Sequence, residues 1–142
     1  MSYYAVIDTN VIVSALITKN QDSPPRKIFR AMFTGDIIPL YHADIIAEYE
    51  EVLKRKKFHL KSETIMTVLE AIQQFGIDVT PTPTGEILVD MDDLIFYEVA
   101  MEKQDSEAYL VTGNQKHYPL KSFIVTPSEM LQIMMNKQHK IK

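Results

Sequence analysis

The sequence predicts an α/β fold, with a central parallel sheet of four to five strands between layers of helices. Short apolar segments alternate along the chain with longer segments whose apolar residues recur every three to four positions. Such alternation is typical of a parallel sheet with helices on both faces. The 142 residues suit one domain, and 46% hydrophobic residues can fill a core. We therefore expect a single α/β/α sandwich over 1–142, with a frayed tail at 136–142.

Five strands and six helices follow in order. The strands are short runs of apolar, β-branched or aromatic residues, at 3–7, 36–40, 77–79, 108–111 and 123–125. The helices show helical apolar spacing or typical starting residues, at 11–17, 26–33, 42–55, 62–75, 91–103 and 127–135. Asn10 is expected to cap the first helix. The run T-P-T-P-T-G at 80–85 is expected to be a loop.

Composition excludes several classes of protein. The chain has no cysteine, which excludes disulfides and thiolate metal sites and fits a reducing, cytoplasmic location. No apolar run approaches the roughly 20 residues of a membrane span, and the N-terminus does not resemble a signal peptide. The net charge of −4 does not favour polyanions overall. Two basic clusters, at 26–30 and 54–57, are either nucleic-acid contacts or ordinary solvated helix ends.

Asp8 is the most informative residue, because it directly follows the first predicted strand. Open α/β sheets bind ligands at the carboxyl ends of their strands. Asn114 follows the 108–111 strand and should reach the same edge. Alternatively, both residues have structural roles only, with Asp8 forming an Asx turn and Asn114 serving as an ordinary turn residue.

Further carboxylates occur where a helix could bring them to that edge. Asp90, Asp92 and Asp93 lie at a helix start, where the helix dipole should keep Asp93 ionised. Glu48 shares a helix face with core-type residues, and an unpaired buried charge is costly. A hard cation such as Mg²⁺ or Mn²⁺ would remove that cost. Alternatively, the aspartates are helix-start charges and Glu48 extends to the surface.

Four short segments resemble, in order, the motifs of PIN-domain nucleases, and are most similar to the VapC-like toxin branch of toxin–antitoxin systems. These segments are 6–16, 45–58, 90–96 and 110–114, and the similarity extends from Tyr4 to about Met130. The resemblance places the family's acids at Asp8, Glu48 and Asp93. Asn114 stands where most relatives have Asp, which removes one negative charge.

The resemblance implies a Mg²⁺- or Mn²⁺-dependent endoribonuclease that cleaves single-stranded RNA. Asp8, Glu48 and Asp93 would hold one or two cations that activate a water, with Asn114 as a fourth catalytic residue. The residues expected to support the metal or contact RNA are Asn10, Ser14, Lys54, Arg55, Asp92 and Thr112. It also implies an antitoxin partner, and a homodimer is a further expectation. The helix at 26–33 and the last-helix methionines Met130, Met134 and Met135 are the expected partner surfaces.

Two other classes remain open. Asn114 favours a PIN scaffold that has lost turnover and serves as an RNA- or protein-binding module. A phosphatase or a phosphoacceptor domain also carries Asp at strand ends. However, the phosphatase would need a second Asp where Asn10 stands, and the phosphoacceptor would need an Asp and a Lys at later strand ends.

Overall fold

A computed structural model describes residues 2–140, apart from the side chains of 137–140. Within that range the strands are β1 (Tyr3–Ile7), β2 (Ile37–Tyr41), β3 (Ile77–Asp78), β4 (Tyr109–Val111) and β5 (Ile124–Val125). The helices are α1 (Thr9–Ile17), α2 (Pro24–Thr34), α3 (Ala43–Leu53), α4 (Ser62–Phe75), α5 (Leu94–Glu102) and α6 (Pro127–Lys140). Short 3₁₀ turns occupy Lys56–Phe58, Met91–Asp93, Gln104–Ser106 and Gln115–His117.

The strands form one parallel sheet in the order β3-β2-β1-β4-β5, flanked by the six helices. The central strand β1 pairs with β2 and β4, so that Ala5 lies opposite Pro39 on one side and Tyr109 on the other. Its side chains are almost entirely buried, as expected for a strand covered on both faces. The predicted α/β/α architecture is confirmed. All five strands run in the same direction, and therefore their carboxyl ends share one edge.

Several element boundaries match their sequence signals. Helix α4 has the predicted bounds, and α2 ends at Gly35, whose φ of 90° is the left-handed conformation that glycine adopts readily. Gly76 after α4 has a different role. A Cβ there would lie 2.5 Å from the Pro39 carbonyl oxygen and 2.6 Å from that of Ile72. Only glycine allows this close approach of helix and strand.

Several predicted boundaries differ from the structure, and three of them bear on the site or the chain end. Helix α1 begins at Thr9, so that Asp8 and not Asn10 is its N-cap residue. The predicted helix at 91–103 is a 3₁₀ turn followed by α5, which begins at Leu94. Helix α6 continues to Lys140, beyond the predicted end at 135. Of the predicted frayed tail, 141 and 142 lie outside the described residues, and the fraying stays a prediction.

In the part of the chain from 2 to 140, no helix combines the length and the apolar character needed to cross a bilayer.

Candidate active site

An acidic cavity of about 390 Å³ lies at the carboxyl edge of the sheet. Asp8 reaches it from the end of β1, Glu48 from the middle of α3, and Asp93 from the start of α5. The sequence-predicted acids therefore line one cavity, although they are far apart along the chain. The carboxylates that line it are Asp8, Glu48, Glu51, Asp90, Asp92 and Asp93.

Asp8 is held in place by three hydrogen bonds to a single oxygen. Its Oδ2 accepts from Thr112 Oγ1 at 2.7 Å, from the Tyr118 hydroxyl at 3.0 Å and from Asn10 Nδ2 at 3.3 Å. Only 4% of the residue is exposed, and this burial raises the pKa of the Asp8 carboxyl. The hydrogen bonds from Thr112 and Tyr118 partly oppose that rise, since they stabilise the ionised form. These donors fix the carboxylate in one orientation.

Asn10 connects the two strand ends that form the floor of the site. Its amide nitrogen contacts Asp8, and its Oδ1 accepts a hydrogen bond of 3.0 Å from the backbone N–H of Gly113. Because Gly113 follows β4, this bond ties the start of α1 to the turn after the neighbouring strand. Asn10 is therefore a bridging residue and not the helix cap that its sequence position predicted.

Glu48 is positioned by Thr9 and by its own neighbour Tyr49. Thr9 is buried, and its hydroxyl donates to Glu48 Oε2. The buried Tyr49 hydroxyl donates to the Ile7 carbonyl oxygen, which fixes α3 to the end of β1. Burial raises the pKa of Glu48, and the negative charges of the nearby aspartates raise it further. The half-buried carboxylate at this helix position is thus supported by specific contacts.

Asp93 has a pKa raised from 3.8 to about 6. The largest cause is burial, followed by repulsion from Asp8 and Asp90, while His117, whose Nδ1 lies 3.4 Å from Asp93 Oδ2, opposes the rise. The helix dipole was expected to keep this group ionised; a pKa of about 6 still leaves Asp93 mainly ionised at pH 7, but the pKa is raised and not lowered. A helix dipole contributes about 0.3–1 kcal/mol, which is less than one pKa unit. Burial and like-charge repulsion outweigh it.

The donor set suits a hard divalent cation, although no closed cage is formed. Among the described side chains, no three His, Cys, Asp or Glu residues are arranged as a compact metal-ligand group. Mg²⁺ is usually held by one or two carboxylates and keeps several waters. Asp8, Glu48 and Asp93 each have a raised pKa and repel one another, so a cation in this cavity would relieve an unfavourable charge arrangement. The chemistry of the residues therefore fits a partly hydrated Mg²⁺ or Mn²⁺.

The predicted supporting residues divide into two groups. Asn10, Ser14, Arg55 and Asp92 line the cavity. Lys54 is not among the described lining residues; it is exposed and pairs with Glu50 at 2.5 Å, one helical turn away. Thr112 is fully buried beneath the site, where it contacts Asp8.

Asn114 occupies an exposed position outside the described lining of the cavity. Its backbone N–H donates to Thr112 Oγ1 at 3.0 Å. Thr112 in turn donates to Asp8, so the turn that contains Asn114 helps to orient the buried carboxylate. This contact does not depend on the side chain at position 114.

The other sequence-predicted surfaces have internal roles. Arg26 donates to the Ala15 carbonyl oxygen at 2.5 Å, and Arg30 donates to that of Gln21. Each of these arginines thus contacts a backbone carbonyl, and their contact with RNA stays a prediction. Helices α2 and α6 pack against each other, and Met130 is fully buried, whereas Met135 is 53% exposed. Met130 is therefore a core residue, one of the two roles expected for these methionines, and not part of an exposed partner surface.

Seven residues of the site were not predicted from the sequence. They are Thr9, Val13, Glu51, Val52, Phe58, His117 and Tyr118. Thr9 could have been suspected because it adjoins Asp8 in the first motif. His117 and Tyr118 follow the fourth motif within four residues of Asn114, but only the structure shows that this loop brings them to Asp93 and Asp8. Phe58 ends the second resembling segment and carried no signal of its own.

The fold and the site together define a class: α/β/α proteins in which carboxylates line a cavity at the carboxyl edge of a parallel sheet. The sequence profile of the PIN domain family matches residues 4–116. The chain belongs to the PIN domain family, whose members are generally metal-dependent nucleases. It is also 31% identical over 113 residues to an uncharacterized protein, MJ1680, of Methanocaldococcus jannaschii, a match that covers 78% of this chain and 70% of the relative.

Proposed function

We infer that the protein is a Mg²⁺- or Mn²⁺-dependent endoribonuclease that cleaves single-stranded RNA. The observation that carries this proposal is the single cavity bordered by Asp8, Glu48 and Asp93, with Asp90 and Asp92 beside them. Family membership supports a nuclease, and the oxygen-only donor set supports a hard cation. RNA as the substrate, and cleavage within the strand, rest on the resemblance to the VapC-like branch.

The chain's own residues orient the reactive groups. Thr112, Tyr118 and Asn10 hold Asp8, while Thr9 holds Glu48, so that the carboxylates are fixed before substrate binds. When bound, the cation supplies positive charge for the phosphodiester and activates a water for attack. The protein thereby provides negatively charged carboxylates in fixed orientations around the cavity.

Few positively charged side chains line the cavity and could bind a substrate phosphate. Among the described residues that line the cavity, Arg55 carries the positive charge, and it shares an ion pair of 3.1 Å with Glu51. Ser14 adds a hydroxyl at the same rim. We assign both residues to phosphate contact, with Lys54 outside the cavity as a contributor to salt-dependent binding.

The direct test compares wild-type protein, Asp8→Asn and Asp105→Asn on a labelled single-stranded RNA with Mn²⁺. Asp105 is an exposed residue of the Gln104–Ser106 turn and serves as a matched control. Wild type and Asp105→Asn should cleave, whereas Asp8→Asn should lose at least 100-fold in rate, because it removes a group aimed at the transition-state charge. Equal cleavage by all three proteins would identify a contaminating nuclease and refute the proposal.

A role as a toxin is proposed on the VapC-like resemblance. Expression of the wild-type chain alone in a bacterial host should arrest growth, while Asp8→Asn should not. Growth arrest by both variants would mean that RNA cleavage is not the cause. An antitoxin or a second copy of the chain would then be sought as a partner by co-purification and light scattering.

A second candidate function is a metal-free RNA- or protein-binding module. Asn114 in place of the family's usual Asp, and the lack of a compact ligand group among the described side chains, favour it. Titration separates the two candidates. Failure to bind Mn²⁺ at millimolar concentration, with RNA binding retained, would favour the module over the nuclease.

A further inference from the structure

The acidic cavity has a second, apolar part that a cation would not use. Val13, Val52 and Phe58 line it alongside the carboxylates. Val13 lies four residues beyond Thr9 on α1, and Val52 lies four beyond Glu48 on α3. Four residues are one helical turn, about 6 Å along the axis. An apolar surface therefore lies about one helical turn from the Thr9 and Glu48 end of the same cavity.

Phe58 is the aromatic member of this surface and is rigidly placed. It ends the 3₁₀ turn Lys56–Phe58, in which its backbone N–H donates to the Arg55 carbonyl oxygen at 3.1 Å. The next residue, His59, adopts a left-handed φ of 53° and turns the chain away. Phe58 is partly buried against the core and is also one of the residues that line the cavity. Its orientation is thus set by packing.

The three residues that directly precede Phe58 in the chain are positively charged, and one of them contacts the ring. Arg55 lines the same cavity, Lys56 and Lys57 are exposed, and Lys57 Nζ lies 5.2 Å from the centroid of the Phe58 ring. Proteins that bind single-stranded nucleic acid combine aromatic platforms with such cations, because bases stack on rings while phosphates meet the charges. An ammonium over an exposed ring is a weaker contact than a stacked base, so a base would displace Lys57 toward phosphate.

We propose that Phe58 is a stacking platform for one unpaired nucleobase next to the scissile phosphate, with Arg55, Lys56 and Lys57 holding the flanking phosphates. The proposal rests on the proposed function and deepens it, since it explains selection of single strands. A paired base in a duplex is stacked on its neighbours and cannot offer its face to the ring. Selectivity would therefore come from an apolar surface beside the carboxylates and not from base-edge recognition.

The test measures RNA binding by fluorescence anisotropy in an Asp8→Asn background with Mg²⁺, so that cleavage cannot interfere. Phe58→Leu keeps an apolar side chain but removes the ring. Phe75→Leu makes the same change at an exposed phenylalanine at the end of α4 and is the control. Each protein is titrated with a labelled single-stranded octanucleotide and with its fully abasic counterpart, and thermal melting establishes that each variant is folded.

Phe58→Leu should bind the base-bearing strand roughly 5- to 150-fold more weakly, and Phe75→Leu should bind it like the parent. The abasic strand should bind the parent and Phe58→Leu equally. Equal binding of the base-bearing strand by the parent and Phe58→Leu, or an equal loss on both strands, would overturn the proposal.

If Phe58→Leu fails to fold, the parent still decides the question. It should prefer the base-bearing strand over the abasic one, and equal affinity would overturn the stacking site. Failure of the nuclease proposal can be distinguished from failure of the stacking proposal. The first would appear as absent Mn²⁺-dependent cleavage by wild type. The binding comparison in the Asp8→Asn background does not depend on cleavage and tests the stacking site separately.

Discussion

Asp93→Asn should stabilise the metal-free protein at neutral pH, although it removes a residue proposed to be required for cleavage. The wild-type carboxyl has a pKa of about 6 instead of 3.8, since burial and the charges of Asp8 and Asp90 disfavour ionisation. Asparagine has nearly the same shape and no charge. Asp93 makes no side-chain capping hydrogen bond to α5 that the substitution would remove. The expected gain is therefore electrostatic.

The magnitude follows from the pKa. A rise of about two units corresponds to about 3 kcal/mol of lost stability at high pH. The side chain is 14% exposed and borders an open cavity, so solvent screening reduces this to about 1–2 kcal/mol. Loss of the favourable helix-dipole contact removes about 0.5 kcal/mol of the gain. The net expectation is about 1 kcal/mol, or about 3–4 °C in melting temperature for a domain of this size.

The assay is thermal unfolding in EDTA from about pH 4 to pH 8, with Asp105→Asn as the matched control. The native-state pKa of Asp93 is raised, so wild type regains stability as the pH falls through 6. The advantage of Asp93→Asn should be complete near pH 8, shrink through pH 6 and vanish below about pH 4. A destabilised Asp93→Asn at pH 8, or an advantage independent of pH, would refute the electrostatic reasoning.

Three further substitutions have defined outcomes. Tyr118→Phe removes one of three hydrogen bonds to Asp8. Because the acceptor is charged, the free energy of unfolding in urea at pH 7 should fall by about 1.5–3 kcal/mol. An unchanged urea midpoint would contradict the contact. Gly76→Ala should destabilise the protein by about 1–3 kcal/mol in urea unfolding, because its Cβ would meet two backbone oxygens, and unchanged stability would contradict that close approach. Arg26→Gln should lower stability by about 1 kcal/mol through loss of the Ala15 contact and leave RNA affinity unchanged, and a large loss of affinity would restore Arg26 as an RNA contact.

Local patterns in the sequence predicted the elements that carry strong local signals. Helix α4 has a regular apolar face, Glu63 in its first turn and Gly76 at its end, and its bounds were predicted correctly. The junction at Asp8 was harder, because Asp8 and Asn10 are both good capping residues. Asn10 instead bonds to Gly113, which is 103 residues away in sequence, and no local pattern reports such a partner.

The candidate site was predictable only as a set of acids meeting at one sheet edge. That inference needed the parallel topology and the positions of Asp8, Glu48 and Asp93, and these residues do line one cavity. The upward shift of the Asp93 pKa was not predicted, because it depends on burial and on carboxylates that are distant in sequence. The roles of Tyr118 and Phe58 depend on the paths of two loops that carry no periodic signal. Tertiary contacts determined each of these features.

Calorimetric titration with Mn²⁺ of wild type, Asp8→Asn and Asp105→Asn tests the central claim most directly, namely that these carboxylates together bind a divalent cation. Wild type and Asp105→Asn should bind Mn²⁺ with the same affinity, and Asp8→Asn should bind at least 10-fold more weakly, because one anionic oxygen ligand is gone. Binding by wild type at pH 6 should also release protons, since the cation displaces them from Asp93. Mn²⁺ affinity that is absent in wild type, or equal in wild type and Asp8→Asn, would contradict the account.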